Sequence, residues 1–187
     1  LTCDQDDSLY VALDHGTKFA DAEVVFARSF YAGAAYPSGP LSGEILGIYG
    51  ASDPDSIHEA LAAAIKGLRE EICFYEPEGG GPAFFPHVIS ETGTYLSKEA
   101  GIEAGAPMAY LIAPPMEAVI GMDAALKAAE VKLVKHFDPP TETNFGGGFL
   151  AGELHALEAS ARAFSEAVLD VAQKPQAGHV RPGHGRR

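Results

Sequence analysis

The chain repeats itself once. Asp14 and Lys18 recur as Asp123 and Lys127, and Leu41, Gly43 and Glu44 recur as Leu150, Gly152 and Glu153, every pair 109 residues apart. The segments Ser29 to Glu44 and Asp138 to Glu153 are both sixteen residues long. A constant offset without gaps reads as duplication of one small domain. Fused duplicates ordinarily sit side by side as pseudo-symmetric copies, a plan that suits an assembling protein better than a solitary enzyme. Phe84 to Met108 leads into the second copy, and its first-copy counterpart falls before Leu1. The chain is therefore expected to be truncated at its N-terminus by roughly a strand plus a helix.

Composition narrows the function classes. A chain of 187 residues suits one large domain or two small ones, and the repeat decides for two. Hydrophobic content of 47% with 21% charged residues is that of a folded globular chain. A formal charge of −13 argues against nucleic acid or an anionic membrane as partner, since both need a basic field. No apolar run approaches the roughly 20 residues that span a bilayer. Cys3 and Cys73 stand in no metal or redox spacing, which favours a reducing compartment. The seven histidines show no paired ligand spacing, so no metal site is expected. Nucleophile elbows, Walker loops and dinucleotide-binding glycine patterns are absent, and no cofactor is implied.

Along the chain, Ser8 to Leu13 alternates and reads as a strand, with Asp14 capping a short helix to about Asp21. Glu23 to Tyr31 and Gly43 to Tyr49 read as strands. Asp53 and Pro54 open a helix whose stripe is Ile57, Leu61, Ile65 and Leu68. Cys73 to Tyr75 begins a strand, and the glycine run at 79–81 is a break. In the second copy Met108 to Ile112 and Val131 to Phe137 read as strands, and Asp123 opens a short helix. A last helix spans about Ala156 to Ala172 with the stripe Leu157, Ala161, Phe164, Val168 and Val171. The expected class is α+β, with helices covering one sheet face in each copy.

The strings RSFYAGAA (28–35), SETGTYLS (90–97), APMAYLIAPPMEA (106–118), DAALKAAEV (123–131) and PPTETNF (139–145) carry a resemblance to a known family. From Leu1 to about Pro175 the chain resembles the tandem-domain shell proteins of ethanolamine-utilisation bacterial microcompartments. The resemblance implies two tandem, circularly permuted bacterial-microcompartment domains, the first truncated at its N-terminus. Their expected extents are 1–72 and 73–175, followed by a flexible basic tail at 176–187. It implies a homotrimer imitating a hexagonal shell tile, in contact with other shell proteins, and no catalysis. Three features depart from the family: the N-terminal strand and helix of its first domain are expected to be absent, Glu91 stands where arginine is typical, and the tail HVRPGHGRR is unfamiliar.

The resemblance also implies small acidic pores that bind ethanolamine. The matching positions are Asp6, Glu44, Phe74 and Glu117, with the choice between Asp6 and Asp7 left open. Carboxylates would supply charge-assisted acceptors to an ammonium, and an aromatic face a cation–π contact. The loops at 32–42 and 139–148 occupy equivalent places in the two copies, so six would surround the axis of a trimer and gate a central pore. Outside the family reading, an acidic cleft between duplicated domains also suits a small-amine-binding regulatory protein.

Overall fold

The computed structural model describes residues 1–3, 5–29, 45–78, 83–138 and 145–174. The first copy contains β1 (Thr2–Cys3), α1 (Asp6–Gly16), β2 (Ala22–Ser29), β3 (Ile45–Ala51) and α2 (Pro54–Glu70). The second contains β4 (Phe85–Ile89), α3 (Thr94–Ala100), β5 (Met108–Ala113), α4 (Pro115–Ala128), β6 (Lys132–Phe137), β7 (Gly146–Ala151) and α5 (Leu154–Gln173). The α+β class is as expected. The two antiparallel sheets run β1-β3-β2 and β4-β5-β7-β6. The order β1-β3-β2 thus corresponds to β5-β7-β6.

The duplication is confirmed by a bulge at the same place in each copy. It falls between Val24 and Phe26 in β2 and between Leu133 and Lys135 in β6, 109 residues on. Beyond the bulge the constant offset fails. Val24 pairs with Tyr49 and Leu133 with Leu150, so the partner strands stand 101 residues apart. Leu150 and Gly152 therefore correspond to Tyr49 and its neighbours, not to Leu41 and Gly43. The connection into β7 is eight residues shorter than the one into β3 (109 less 101), and the matching letters across it are coincidental.

Two helices were misread from sequence. The Ser8–Leu13 segment is the centre of α1, and Asp14 lies near that helix's end instead of capping a new one. Asp123 likewise sits inside α4. In α1, Asp7, Ser8, Leu9, Val11, Ala12, Leu13, Asp14 and Gly16 are all buried, so no single apolar stripe exists to betray a helix. The reading of α2 holds: Asp53 is its N-cap and accepts the Ser56 N–H at 2.9 Å, with Pro54 in the first turn. Its innermost residues, however, are Ala60, Ala64 and Gly67. In α5 the apolar stripe is buried through Leu157, Ala161, Phe164 and Val168. Cys73 to Tyr75 forms only an isolated bridge, Tyr75 to Phe84, and Gly146 to Gly148 belong to β7 itself.

All six residues of β5 are buried, because its two faces serve different cores. Ala109, Leu111 and Ala113 face α4 and α5, meeting Leu157, Phe164 and Val168. Met108, Tyr110 and Ile112 join a core that includes Val11 and Ala12 of α1, Ala64 of α2 and Leu96 of α3. A helix of the first copy thus packs on the sheet of the second. This intrachain seam positions the residues of the candidate site.

Candidate functional site

A cavity of about 250 Å³ opens at the seam, lined by carboxylates, phenols and aromatic faces. Asp6 and Asp7 reach it from the first turn of α1, where the helix's unsatisfied N–H groups favour negative charge. Both line the cavity, and Asp7 is the more deeply buried. The Tyr110 hydroxyl donates to Asp7 Oδ1 across the seam. Burial and the Asp7 charge push the Tyr110 pKa well above that of an ordinary phenol, so the group stays a proton donor. Burial likewise raises Tyr95, the next phenol of the lining.

The opposite wall is aromatic and holds a cation. Tyr110 meets Phe149 edge-on at 4.5 Å between centroids, and Phe137 meets Phe149 the same way at 5.0 Å. Lys135 places Nζ 5.6 Å from the Phe137 centroid and 5.7 Å from that of Phe149. The same ammonium pairs with Glu99 Oε2 at 2.7 Å. Carboxylates facing aromatic rings give this cavity the two kinds of group that contact an ammonium favourably.

A second, polar latch closes the seam below it. Asp14, 1% exposed, accepts the N–H of Gly93 at 2.6 Å and of Leu96 at 2.7 Å, capping the first turn of α3. Burial pushes the Asp14 carboxyl above the ordinary aspartate value, and those N–H donors partly oppose it. Thr17 Oγ1 accepts the Thr94 N–H at 3.0 Å, and Lys18 Nζ donates to the Glu91 carbonyl at 3.1 Å. The latter contact is with backbone, so it is indifferent to which side chain position 91 carries. Beside the latch lies a pocket of about 160 Å³ with His15, Glu71 and His87 in its lining. His87 stacks on Phe85, and burial lowers its pKa to about 4.

Of the residues singled out in the sequence, Asp6 lies in the larger cavity. Phe74 stands behind it, 4.9 Å from Phe85 and 6.2 Å from Phe145, a lining residue. Glu117 is in the first turn of α4, repeat-equivalent to the turn that bears Asp6 and Asp7, and is not part of the lining. Glu44, the loop 32–42, residues 139–144 and the tail lie outside the described residues. Sequence reasoning missed Tyr110, Glu99 and Lys135. A phenol inside the otherwise aliphatic run Met108–Ala113 was the one available signal. Among the described residues there is no cluster able to hold a metal ion and no helix long and apolar enough to cross a membrane.

Comparison with known proteins sets this geometry in context. The chain is 46% identical over 176 residues to the bacterial microcompartment shell protein EutL of Salmonella typhimurium, covering 94% of this chain and 80% of that one. It is 45% identical to EutL of Clostridium perfringens, again over 94% of this chain and 81% of that protein. The crystal structure of the ethanolamine utilization protein EutL from Leptotrichia buccalis superposes with a TM-score of 0.90 at 48% identity, over 95% of this chain and 82% of that one. The trimeric bacterial microcompartment shell protein PduB shares the fold, with a TM-score of 0.72 at 20% identity, over 88% of this chain and 72% of that one. No family model matches.

Proposed function

This chain belongs to the EutL family of bacterial microcompartment shell proteins, and from that premise we propose that it works as a trimeric tile whose intrachain seam accepts small ammonium compounds. Its role is structural: it is a shell protein of an ethanolamine-utilisation microcompartment, and the reading assigns it no catalysis. Residues 1–72 and 73–175 are its two domains, in the permuted order of the family.

One observation carries the trimer. On α1 the seam is made by Asp7, Tyr10 and Val11; 109 residues on, α4 presents Met116, Val119 and Ile120, which are 63%, 62% and 40% exposed. On the second sheet α1 meets the face that carries Lys135 and Phe149. The matching face of the first sheet presents Phe26 and Ile48, with Val25 and Leu46 beside them, all exposed. Two apolar surfaces that are equivalent to the two sides of an existing seam are complementary to each other. They cannot meet within one chain, so α4 of one chain packs on the first sheet of the next, head to tail. Six domains close the ring in three chains. Burying each aliphatic side chain contributes about 1.5–3 kcal/mol, enough for a stable contact.

The amine reading rests on the lining of the larger cavity. Asp6 and Asp7 supply charge-assisted acceptors, and the aromatic wall supplies cation–π contacts, for a guest such as ethanolamine. Glu44, Glu117 and Phe74 remain proposed pore residues by family resemblance alone, since Glu117 and Phe74 are not in the lining of this cavity. The segments 32–42 and 139–148, which the sequence places equivalently in the two copies, stand as the proposed gate of the central pore.

Sedimentation equilibrium tests the tile. A three-chain particle that goes on to form sheets is expected. A monodisperse monomer would overturn this reading and favour an amine-binding regulator.

A further inference from the structure

Lys135 is an odd occupant of its cavity. It lies on β6, the edge of the second sheet, where the bulge-equivalent residue of the first copy is Phe26. Its ammonium sits between Glu99 and the faces of Phe137 and Phe149, in the cavity that Asp6 and Asp7 also line. That is the set of contacts a free alkylammonium would seek there. The side chains of Lys135 and Glu99 are 36% and 41% exposed, so the pair is partly solvated and can open without unfolding. The four-carbon stem is long and flexible enough to swing the charge into water.

We infer that Lys135 is a tethered competitor, an internal ammonium that occupies the amine seat and must leave before a guest can take it. The inference rests on the amine reading above and adds its regulation. A group on a short flexible tether competes at an effective concentration on the order of millimolar or more. With a site affinity like that of a free amine, a dissociation constant of about 0.1–1 mM, such a competitor weakens apparent guest binding by up to about tenfold. Weak holding is what a passage requires, since a site that binds tightly does not release. The lysine also keeps the Glu99 carboxylate paired when no guest is present.

The test uses calorimetry with ethanolamine and with methylammonium on wild type, Lys135→Met and Lys135→Arg. Methionine keeps an unbranched stem against the rings without the charge, and arginine keeps the charge. Binding to Lys135→Met is expected to tighten by up to about tenfold, with no gain for Lys135→Arg. Equal or weaker binding to Lys135→Met, with wild type binding either amine, overturns the competitor role alone. No binding of either amine to wild type or Lys135→Met removes the amine reading and the inference with it. A measurement on wild type guards against a misfolded variant. In protein carrying carbon-13 lysine, the Lys135 Hε resonance should lose its ring-current shift as ethanolamine saturates. A resonance that stays shifted at saturation overturns the inference.

Discussion

The Leu96 N–H donates to Asp14 Oδ1 at 2.7 Å, joining residues 82 positions apart in sequence. With the Gly93 N–H on Oδ2, one buried carboxylate caps a helix of the other copy. Asp123, the repeat of Asp14, makes an exposed pair with Lys127 on its own helix at 2.6 Å. The same residue type in equivalent helices thus holds a seam in one place and faces solvent in the other.

Asp14→Ala should therefore lower the unfolding free energy by about 2–5 kcal/mol, since two buried N–H groups lose their acceptor. Asp123→Ala should cost less than about 0.5 kcal/mol, as an exposed i,i+4 pair does. Urea denaturation of both variants measures the difference. Equal losses would show that the latch contributes nothing special.

Stability should fall as the medium is acidified through the range set by His87. Its folded pKa of about 4 lies below the unfolded value, so the unfolded chain binds the proton first. The stability associated with neutral His87 is complete above about pH 6.5 and is lost as pH falls towards 4, up to about 3 kcal/mol. Asp14, with its raised carboxyl, acts in the opposite sense, favouring the fold below its unfolded value and losing that contribution as pH rises. Replacing His87 by Gln isolates the first effect. The pH profile of its thermal midpoint should be flatter than wild type between 6.5 and 4.

Gly121→Ala should destabilise the fold by about 1–3 kcal/mol through overpacking. A Cβ there would lie 2.7 Å from Phe164 Cδ2 and 3.1 Å from Val168 Cγ2, where α4 crosses α5. The repeat-equivalent residue on α1 is Ala12, which fits without strain in its own core. Chemical denaturation decides it. No loss would mean that α5 shifts freely.

Assembly offers a test by complementation. Val119→Asp spoils the helix side of the proposed interchain contact, and Ile48→Asp spoils the sheet side. Each variant alone should be monomeric. Mixed, they retain one good helix side and one good sheet side between them, and should give a two-chain particle that cannot close. A face-to-face dimer contact would predict no such rescue.

Much of the fold was legible in the sequence, and the reasons differ by element. The helix α5 showed itself because one face is solvated, leaving a stripe of period 3.6. The helix α1 did not, because packing on α2, on its own sheet and on the second copy buries it nearly all round. The duplication was visible, yet its register beyond β2 was hidden by a change of connection length that sequence alone does not announce. At the site, Asp6 emerged from family resemblance. Tyr110, Glu99 and Lys135 did not, since only folding brings β5, α3 and β6 to the N-terminal turn of α1.

The substitutions that separate the copies divide labour between two kinds of joint. Within the chain, Asp7 and Tyr10 share a cavity lining with Lys135 and Phe149, giving a charged joint with open space in it. At the equivalent places stand Met116 and Val119 on α4, and Phe26 and Ile48 on the first sheet, all exposed: under the proposed assembly they make a greasy joint suited to adhesion. Encoding both in one polypeptide locks their ratio at one to one. The proposed ring of three chains would then alternate glue with guest chamber, whatever the expression level.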